Sequence, residues 1–175
     1  MRRTTWEPRL RSWRERRRLL LDEVESLTPQ RLVAKPLPGK WSILEIVEHL
    51  VLADRDVFQG LPDPAQLVER KRELKDRVSY PITMFMLACH IPVKVASPKM
   101  MPRSQSSLVE LRRDWEAVGQ WLDSYLDAIE PEALAKAVFA HPIAGPMTLQ
   151  QCLHMGDLHL ATHTRQIRKL ERLTN

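Results

Sequence analysis

The chain has few cysteines, few glycines and no long apolar run near its N-terminus. Its two cysteines, Cys89 and Cys152, form no C-x-x-C pair, which argues against a disulfide framework and fits a reducing cytosol. The 5 glycines and 13 prolines favour helices joined by proline-marked loops over a sheet with tight glycine turns. The leucine run at 19–21 is too short for a signal peptide or a membrane span. We therefore expect a mainly helical, cytoplasmic protein that contacts no membrane.

The composition is that of an ordinary globular protein. Of the 175 residues, 43% are hydrophobic and 28% are charged, which argues against disorder. This length is enough for one well-formed core and too little for two comfortable ones. We expect a single domain that spans residues 1–175.

Positive charge is concentrated at the N-terminus. Residues 1–18 hold eight arginines against two glutamates, a net charge of +6, whereas the whole chain carries +5. Two interpretations stay open: a solvated, arginine-rich first helix, or a patch that binds nucleic acid or a membrane surface. No aromatic stacking pattern accompanies the arginines, so nucleic acid is the less favoured partner.

Apolar periodicity predicts four long helices, at about 8–27, from 42 onward, at 107–129 and at 148–173. Three of these starts fit the capping box, in which a hydroxyl residue and a Glu or Gln three positions later bond to each other's backbone N–H groups. The three pairs are Ser42 with Glu45, Ser107 with Glu110, and Thr148 with Gln151. The segments at 34–41 and 140–147 read as stiff proline-glycine loops.

A long excursion at 61–106 separates the second and third helices. It is predicted to hold a charged helix at 64–77, a short apolar helix at about 81–91 and an irregular stretch at 92–104. The simplest architecture is all-α, a four-helix bundle with an elaborated long crossover between helices 2 and 3.

Three histidines stand on the inward faces of two predicted helices. His159 and His163 are four residues apart, so both project from one face, and such a pair can bind one cation. His49 has mainly apolar neighbours within "SILEIVEHLVLADRDVF". Each of them could be an ordinary core histidine with its own hydrogen bonds. Since buried unpaired imidazoles are costly, a shared metal would satisfy all three.

Two stretches resemble the DinB/YfiT-like superfamily of four-helix-bundle metalloenzymes. They are "GKWSILEIVEHLVLADRDVF" at 39–58 and "HPIAGPMTLQQCLHMGDLHLATHTRQI" at 141–167. The shared features are a Trp-Ser start to the second helix, a histidine within it, a G-x-M-T entry to the last helix, and H-x-x-x-H-x-x-Q-I inside that helix. The connection "PVKVASPKMMPRSQSSLVELRRDW" is also similar, so the likeness covers most of the chain from residue 39 onward.

The resemblance implies an up-down-down-up bundle with His49, His159 and His163 as metal ligands. Zinc or nickel is the expected divalent metal, and three imidazoles leave coordination positions open for water or substrate. Family members with assigned activities include hydrolases and transferases that depend on a low-molecular-weight thiol.

Several other polar residues lie near the proposed ligands in the sequence. Gln166 could orient a metal ligand or take part in packing. His154 points away from His159, and Cys152 is two turns from it, so neither is expected to be a ligand. His90 and His141 have no ligand role in the family pattern.

The sequence offers no clear general base. Glu45, Glu48 and Asp157 lie near the histidines, but none has the position of the glutamate in an H-E-x-x-H helix. Gly156, inside the last helix, suggests that a neighbouring backbone approaches there. The apolar stretch "YPITMFMLACHIPV" at 80–93 could cover the metal as part of a substrate pocket, or form a packing or homodimer surface.

These observations predict a divalent-metal-dependent hydrolase or thiol-dependent transferase that acts on a small molecule. The mechanism would be Lewis-acid activation of water or of the thiol. The alternative is a non-catalytic helical binding domain in which the metal is structural or absent.

Overall fold

The structure is a computed structural model that describes residues 6–67, 73–91 and 97–174. Short 3₁₀ turns at Pro64–Gln66, Pro98–Met100 and Pro131–Ala135 connect the main elements, and a π-helical turn, Arg55–Gln59, extends the helix that ends at Asp54. The main elements are α1 (Glu7–Glu25), α2 (Pro29–Val33), α3 (Ile43–Asp54), α4 (Leu74–Ala88), α5 (Leu108–Ala128), β1 (Ala137–His141), β2 (Gly145–Thr148) and α6 (Leu149–Leu173).

Helices α3 and α5 run parallel to each other. Glu45, at the start of α3, accepts a hydrogen bond from the hydroxyl of Ser104, just before α5. Asp54, at the end of α3, accepts one from Trp115, further along α5. Contacts that advance in the same direction along both helices require a parallel pair, and only a long crossover can connect one.

Helices α1 and α6 are also parallel, and they run opposite to α3 and α5. Arg16 pairs with Asp157, and Glu23 pairs with Arg168, so the contacts of α1 advance with those of α6. By contrast, His49 of α3 contacts His159, while Phe58, further along the chain, lies near Gly156. The four-helix bundle therefore has the expected up-down-down-up order.

The predicted helix starts are confirmed, because each is stabilised by a local hydrogen-bond pair. Both reciprocal bonds of the capping box are present at Ser42, Ser107 and Thr148. The apolar faces of α1, α3, α5 and α6 then meet in one core. Its largest fully buried side chains include Trp13, Trp115, Phe58, Leu50 and Leu153.

The crossover differs from its prediction. A separate charged helix at 64–77 and an apolar helix at 81–91 were expected, but one helix, α4, runs from Leu74 to Ala88 with Pro81 inside it. Proline often occupies the first turn of a helix, which is why its position suggested a start. Inside a helix it costs about 3 kcal/mol. Burial of Met84 and Leu87 offsets this cost. Residues 68–72 and 92–96 of these predicted segments lie outside the described residues.

The segment at 140–147 is a β-hairpin and not the predicted loop. Strands β1 and β2 pair antiparallel, with His141 opposite Gly145. Gly145 has φ +72°, and a Cβ atom there would lie 2.4 Å from the carboxylate of Asp76 on α4. The hairpin thus packs tightly against α4, and Thr148 both ends β2 and caps α6. Strands of five and four residues are too short for a reliable pattern of alternation.

The sequence predicted that a neighbouring backbone approaches Gly156. The nearest atoms from other elements belong instead to side chains. A Cβ atom at this position would be 3.6 Å from Nε1 of Trp13 and 3.8 Å from the ring of Phe58. These two rings pack edge to face, with centroids 5.2 Å apart.

Several arginines of α1 form ion pairs with acidic residues of α1 itself or of neighbouring helices. Arg14 pairs with Asp123 of α5, Arg16 with Asp157 of α6, and Arg18 with acidic residues of α1 itself. An arginine-rich helix can pack in the bundle because these carboxylates compensate part of its positive charge. Within the described part of the chain, no helix is both long enough and apolar enough to cross a membrane.

Alanine is expected to have opposite effects on stability at Gly156 and Gly145. Gly156→Ala should raise the free energy of unfolding by about 1 kcal/mol, since helix propensity improves and Cβ meets Trp13 at an ordinary contact distance. Gly145→Ala should lower it by about 1–3 kcal/mol, because of the positive φ and the clash with Asp76. Urea denaturation followed by circular dichroism measures both. A less stable Gly156→Ala would contradict the contact distances.

Candidate metal centre

Three histidines from two helices converge on one point inside the bundle. His49 stands in the middle of α3, and His159 and His163 stand one turn apart on α6. Nε2 of His159 lies 3.2 Å from Nε2 of His49 and 3.0 Å from Nε2 of His163. One ring nitrogen from each of the three residues lies within 4.8 Å of the others. His49 and His163 are buried, and His159 is partly buried.

Two of these rings are oriented by hydrogen bonds at their other nitrogen. Nδ1 of His49 donates to the carbonyl of Met100 at 2.7 Å, and Nδ1 of His163 donates to Oε1 of Gln166 at 2.8 Å. A carbonyl oxygen only accepts, so the proton of each neutral ring is on Nδ1. Both Nε2 lone pairs therefore point toward His159. Such bonds are the usual way in which proteins orient histidine ligands.

The arrangement fits a divalent cation better than it fits three metal-free imidazoles. Nε2 of a neutral His159 can donate one proton, so it can satisfy either His49 or His163 but not both. A cation would accept all three lone pairs. Neighbouring ligands of a tetrahedral zinc ion with bonds of about 2.0–2.1 Å are about 3.3–3.4 Å apart, which is close to the separations of 3.2 and 3.0 Å that Nε2 of His159 makes with His49 and His163.

The electrostatic environment keeps the imidazoles neutral. Burial lowers the pKa of His49, and it lowers the pKa of His163 to about 4, with a further contribution from the charge of His49. Burial also lowers the pKa of His159, well below 6.5, and the two neighbouring imidazoles lower it further. Neutral imidazoles are the form that binds a metal.

The histidines open into a cavity of about 630 Å³, within the usual range for small-molecule sites. Its wall is largely apolar and comes from α3, α4, α6, the loop at 34–41 and the hairpin. The lining includes Leu37, Trp41, Ala53, Val57, Phe58, Thr83, Leu87, Ile91, His141, Met155 and Gly156.

The acidic residues considered as bases have structural roles. Glu45 accepts hydrogen bonds from Lys35 and from Ser104, and these bonds lower its pKa to about 2 despite its burial. Glu48 accepts from the backbone N–H of Ser104. Asp157 pairs with Arg16. None of these carboxylates is among the lining residues of the cavity.

The structure places the other histidines and the cysteine in different settings. His154 is partly buried and stands outside the three-histidine cluster. His90 is hydrogen-bonded through Nδ1 to the hydroxyl of Thr162 at 3.0 Å. Cys152 is fully buried and borders the cavity, and burial raises the pKa of its thiol to about 12. This thiol stays protonated at neutral pH and is a poor nucleophile there.

His141 borders the same cavity, which the sequence did not indicate. Its Nδ1 accepts the backbone N–H groups of Ile143 and Ala144 at 3.1 and 3.0 Å. These bonds form in the turn of the hairpin. The sequence predicted a loop at 140–147, so it gave no reason to place His141 at the cavity. The one available signal was that His141 precedes a proline in the segment that resembles the family.

The apolar stretch at 80–93 lies partly in the cavity wall. Thr83, Leu87 and Ile91 line the cavity, whereas Ile82 and Phe85 on the opposite face of α4 are exposed. The stretch thus supplies part of the pocket, as one of its two interpretations predicted. Residues 92 and 93 lie outside the described residues.

Comparison with known proteins finds one similar sequence and two similar structures that are described below. The Bacillus subtilis (strain 168) protein YuaE, which is uncharacterised, is 23% identical over 175 residues, covering 94% of this chain and 93% of YuaE. The crystal structure of TT2238, a four-helix bundle protein, has a TM-score of 0.56 at 19% identity and covers 94% of this chain and 99% of its own.

A second similar structure belongs to a protein that is described as a probable enzyme. YfiT from Bacillus subtilis, described as a probable metal-dependent hydrolase with an unusual four-helix bundle topology, has a TM-score of 0.62 at 16% identity. The alignment covers 98% of this chain and 89% of YfiT. At such identities the two structures establish the fold alone. The sequence model of the DinB superfamily matches residues 12–167, and the chain therefore belongs to the DinB superfamily.

Proposed function

We propose that the protein is a metal-dependent hydrolase of a small molecule, with the ion held by His49, His159 and His163. The observation that carries this proposal is the convergence of three Nε2 atoms at the wall of a largely apolar cavity. The description of the similar protein YfiT as a probable metal-dependent hydrolase supports it.

The protein's own residues would prepare the reaction. Met100 and Gln166 hold the Nδ1 protons and keep two Nε2 lone pairs aimed at one point. A bound zinc or nickel ion would supply Lewis acidity there, and three protein ligands leave open positions, as in catalytic sites. The apolar wall, which includes Phe58 and Met155, excludes bulk water and strengthens electrostatic interactions at the reacting group.

Thiol-dependent transfer is the second candidate function. A cavity of about 630 Å³ has room for two small reactants, a substrate and a low-molecular-weight thiol. The thiol would have to come from outside, because the buried thiol of Cys152 stays protonated at neutral pH.

Tag-free protein reconstituted with zinc or nickel is expected to bind one equivalent of metal. His159→Gln should weaken metal affinity by at least about 100-fold, since losing a ligand costs more than the 10–100-fold typical of losing an outer-shell partner. His154→Gln is a matched control, because His154 lies on the same helix and outside the cluster. Elemental analysis and competition titration measure both. Substoichiometric metal in the wild type, or an equal loss in the control, would contradict the site.

Activity assays on the same metal-loaded protein then distinguish an enzyme from a binding domain. It should hydrolyse small p-nitrophenyl esters at a rate that a chelator abolishes and added metal restores, and His159→Gln should be inactive. Mass spectrometry of the products with and without an added thiol separates hydrolysis from transfer. Stoichiometric metal with no turnover of either kind would favour the non-catalytic helical binding domain.

Acidification is expected to destabilise the metal-free protein through its buried histidines. The pKa of His163 is 6.5 in an unfolded chain and about 4 in the folded protein, so between these values the unfolded chain binds more protons. The stabilising contribution is complete above pH 6.5 and is lost as the pH falls toward 4, by about 3 kcal/mol for this group. Asp54 acts oppositely, because burial raises its pKa to about 6 and its protonation favours the folded state.

Comparison with His163→Gln isolates the histidine, since both proteins keep Asp54. Urea denaturation of the metal-free proteins from neutral pH to about pH 5 should show a larger loss of stability in the wild type. Equal pH dependence in the two proteins would show that the His163 imidazole stays solvated.

A further inference from the structure

The cavity continues past the histidines toward the middle of the bundle. This extension, the deep arm, is lined by Ala53, Val57, Phe58, Met155 and Gly156. Ala53 lies one turn after His49 on α3, and Met155 lies one turn before His159 on α6. Because α3 and α6 are antiparallel, both positions lead away from the histidines in the same direction. The arm reaches the level of Cys152, about 10 Å along α6 from His159.

The polar groups that border the deep arm are already engaged or neutral. The carboxylate of Asp54 accepts a hydrogen bond from Nε1 of Trp115 at 2.6 Å. The thiol of Cys152 is fully buried and protonated at neutral pH. The remaining surface is hydrocarbon and aromatic, and Gly156 contributes no side chain to fill the space. Such a surface favours an apolar group, because each methylene that is removed from water stabilises the complex by about 0.8 kcal/mol.

We propose that the deep arm binds an aliphatic or aromatic group of the substrate. The substrates are then small molecules that carry such a group next to the bond that reacts at the three histidines. This inference rests on the proposed function, because the reacting bond must lie beside the ion that His49, His159 and His163 hold.

Alkyl hydroxamates of increasing length, from acetohydroxamate to octanohydroxamate, test the deep arm without requiring turnover. The hydroxamate group chelates the metal, so the chain extends from it into the arm. The dissociation constant for the zinc-loaded protein should fall about fourfold for each added methylene until the arm is full. Ala53→Leu should abolish most of this gain, whereas the volume-conserving Met155→Leu should keep it.

The outcomes separate the two proposals. If acetohydroxamate binds and longer chains bind no better, or if Ala53→Leu keeps the full gain, the deep arm is not the apolar subsite and the proposed function stands. If the zinc-loaded protein fails to bind acetohydroxamate at all, the proposed function is overturned and this inference with it.

A second inference comes from His141, whose protonation state is set by the hairpin. Its Nδ1 accepts two backbone N–H groups, from Ile143 and Ala144, and an accepting Nδ1 carries no proton. The proton of the neutral ring is therefore on Nε2, the edge opposite the turn. The ring borders the cavity, and Nε2 makes no hydrogen bond to the residues that the structure describes. A partner for this donor would have to come from a ligand or from water.

We infer that His141 donates a hydrogen bond from Nε2 to an oxygen atom of the substrate. A donor fixed by the backbone needs no reorganisation when negative charge develops on that oxygen, which is the property that makes such donors effective. This inference also rests on the proposed function, since the oxygen belongs to the group that reacts beside His159.

His141→Asn separates the two roles of this ring. The asparagine oxygen can accept the same turn N–H groups, but the side chain is too short to place a donor where Nε2 lies. In the zinc-loaded variant the dissociation constant for acetohydroxamate should rise about 10-fold, as expected for a lost hydrogen bond to a charged group. The zinc affinity and the midpoint of thermal unfolding should stay close to those of the wild type.

If the affinity for acetohydroxamate is unchanged in this variant, the proposed role of His141 is overturned. A loss of zinc affinity would also overturn it, because the ring would then only support the fold. Nitrogen NMR of the metal-free, histidine-labelled protein gives an independent check. It should show the Nε2–H tautomer for His141, and an Nδ1–H tautomer would overturn the inference.

Discussion

The buried guanidinium of Arg17 is the interaction around which the bundle is organised. It lies between the indoles of Trp13 and Trp115, with Cζ 4.2 and 4.9 Å from their centroids, and it donates to the backbone carbonyl of Trp115. Burial lowers its pKa to about 10, so it remains a cation, and the carboxylate of Asp54 compensates part of this charge. Through Trp13 the cluster also contacts Gly156. The buried guanidinium therefore interacts with groups on α1, α3 and α5 at once, and it links the packing of these three helices.

The arrangement of the three-histidine cluster depends on this packing and on the end of the crossover. Hydrogen bonds from Ser104 to Glu45 and to Glu48 tie the segment before α5 to the first turns of α3. The same segment presents the carbonyl of Met100 to His49. The crossover therefore joins two parallel helices and also orients one histidine. On α6 no such aid is needed, since Gln166 lies within reach of His163 on the same helix.

The parts of the fold that depend on local rules were predictable from the sequence, and those that depend on tertiary contacts were not. Capping boxes such as that of Ser42 give helix starts directly, because every atom involved lies within one turn. The three histidines could be grouped from their inward positions on two helices, and the family resemblance then assigned them as metal ligands. The continuous helix through Pro81 and the hairpin with Gly145 depend on contacts with other elements. The tautomer of His141 depends in turn on that hairpin, so it could not be derived from the sequence.

Thr148 belongs to two elements at once, and this limits how the chain can change in length. No linker separates β2 from α6, so one residue inserted there would turn α6 by about 100° relative to the hairpin. His159 and His163 would then leave the cavity while His141 stayed in place. Insertions between α3 and α4 carry no such penalty, since the direction of α6 does not depend on them. We expect the distance from hairpin to histidines to be invariant in length among relatives of this chain, while the crossover varies freely.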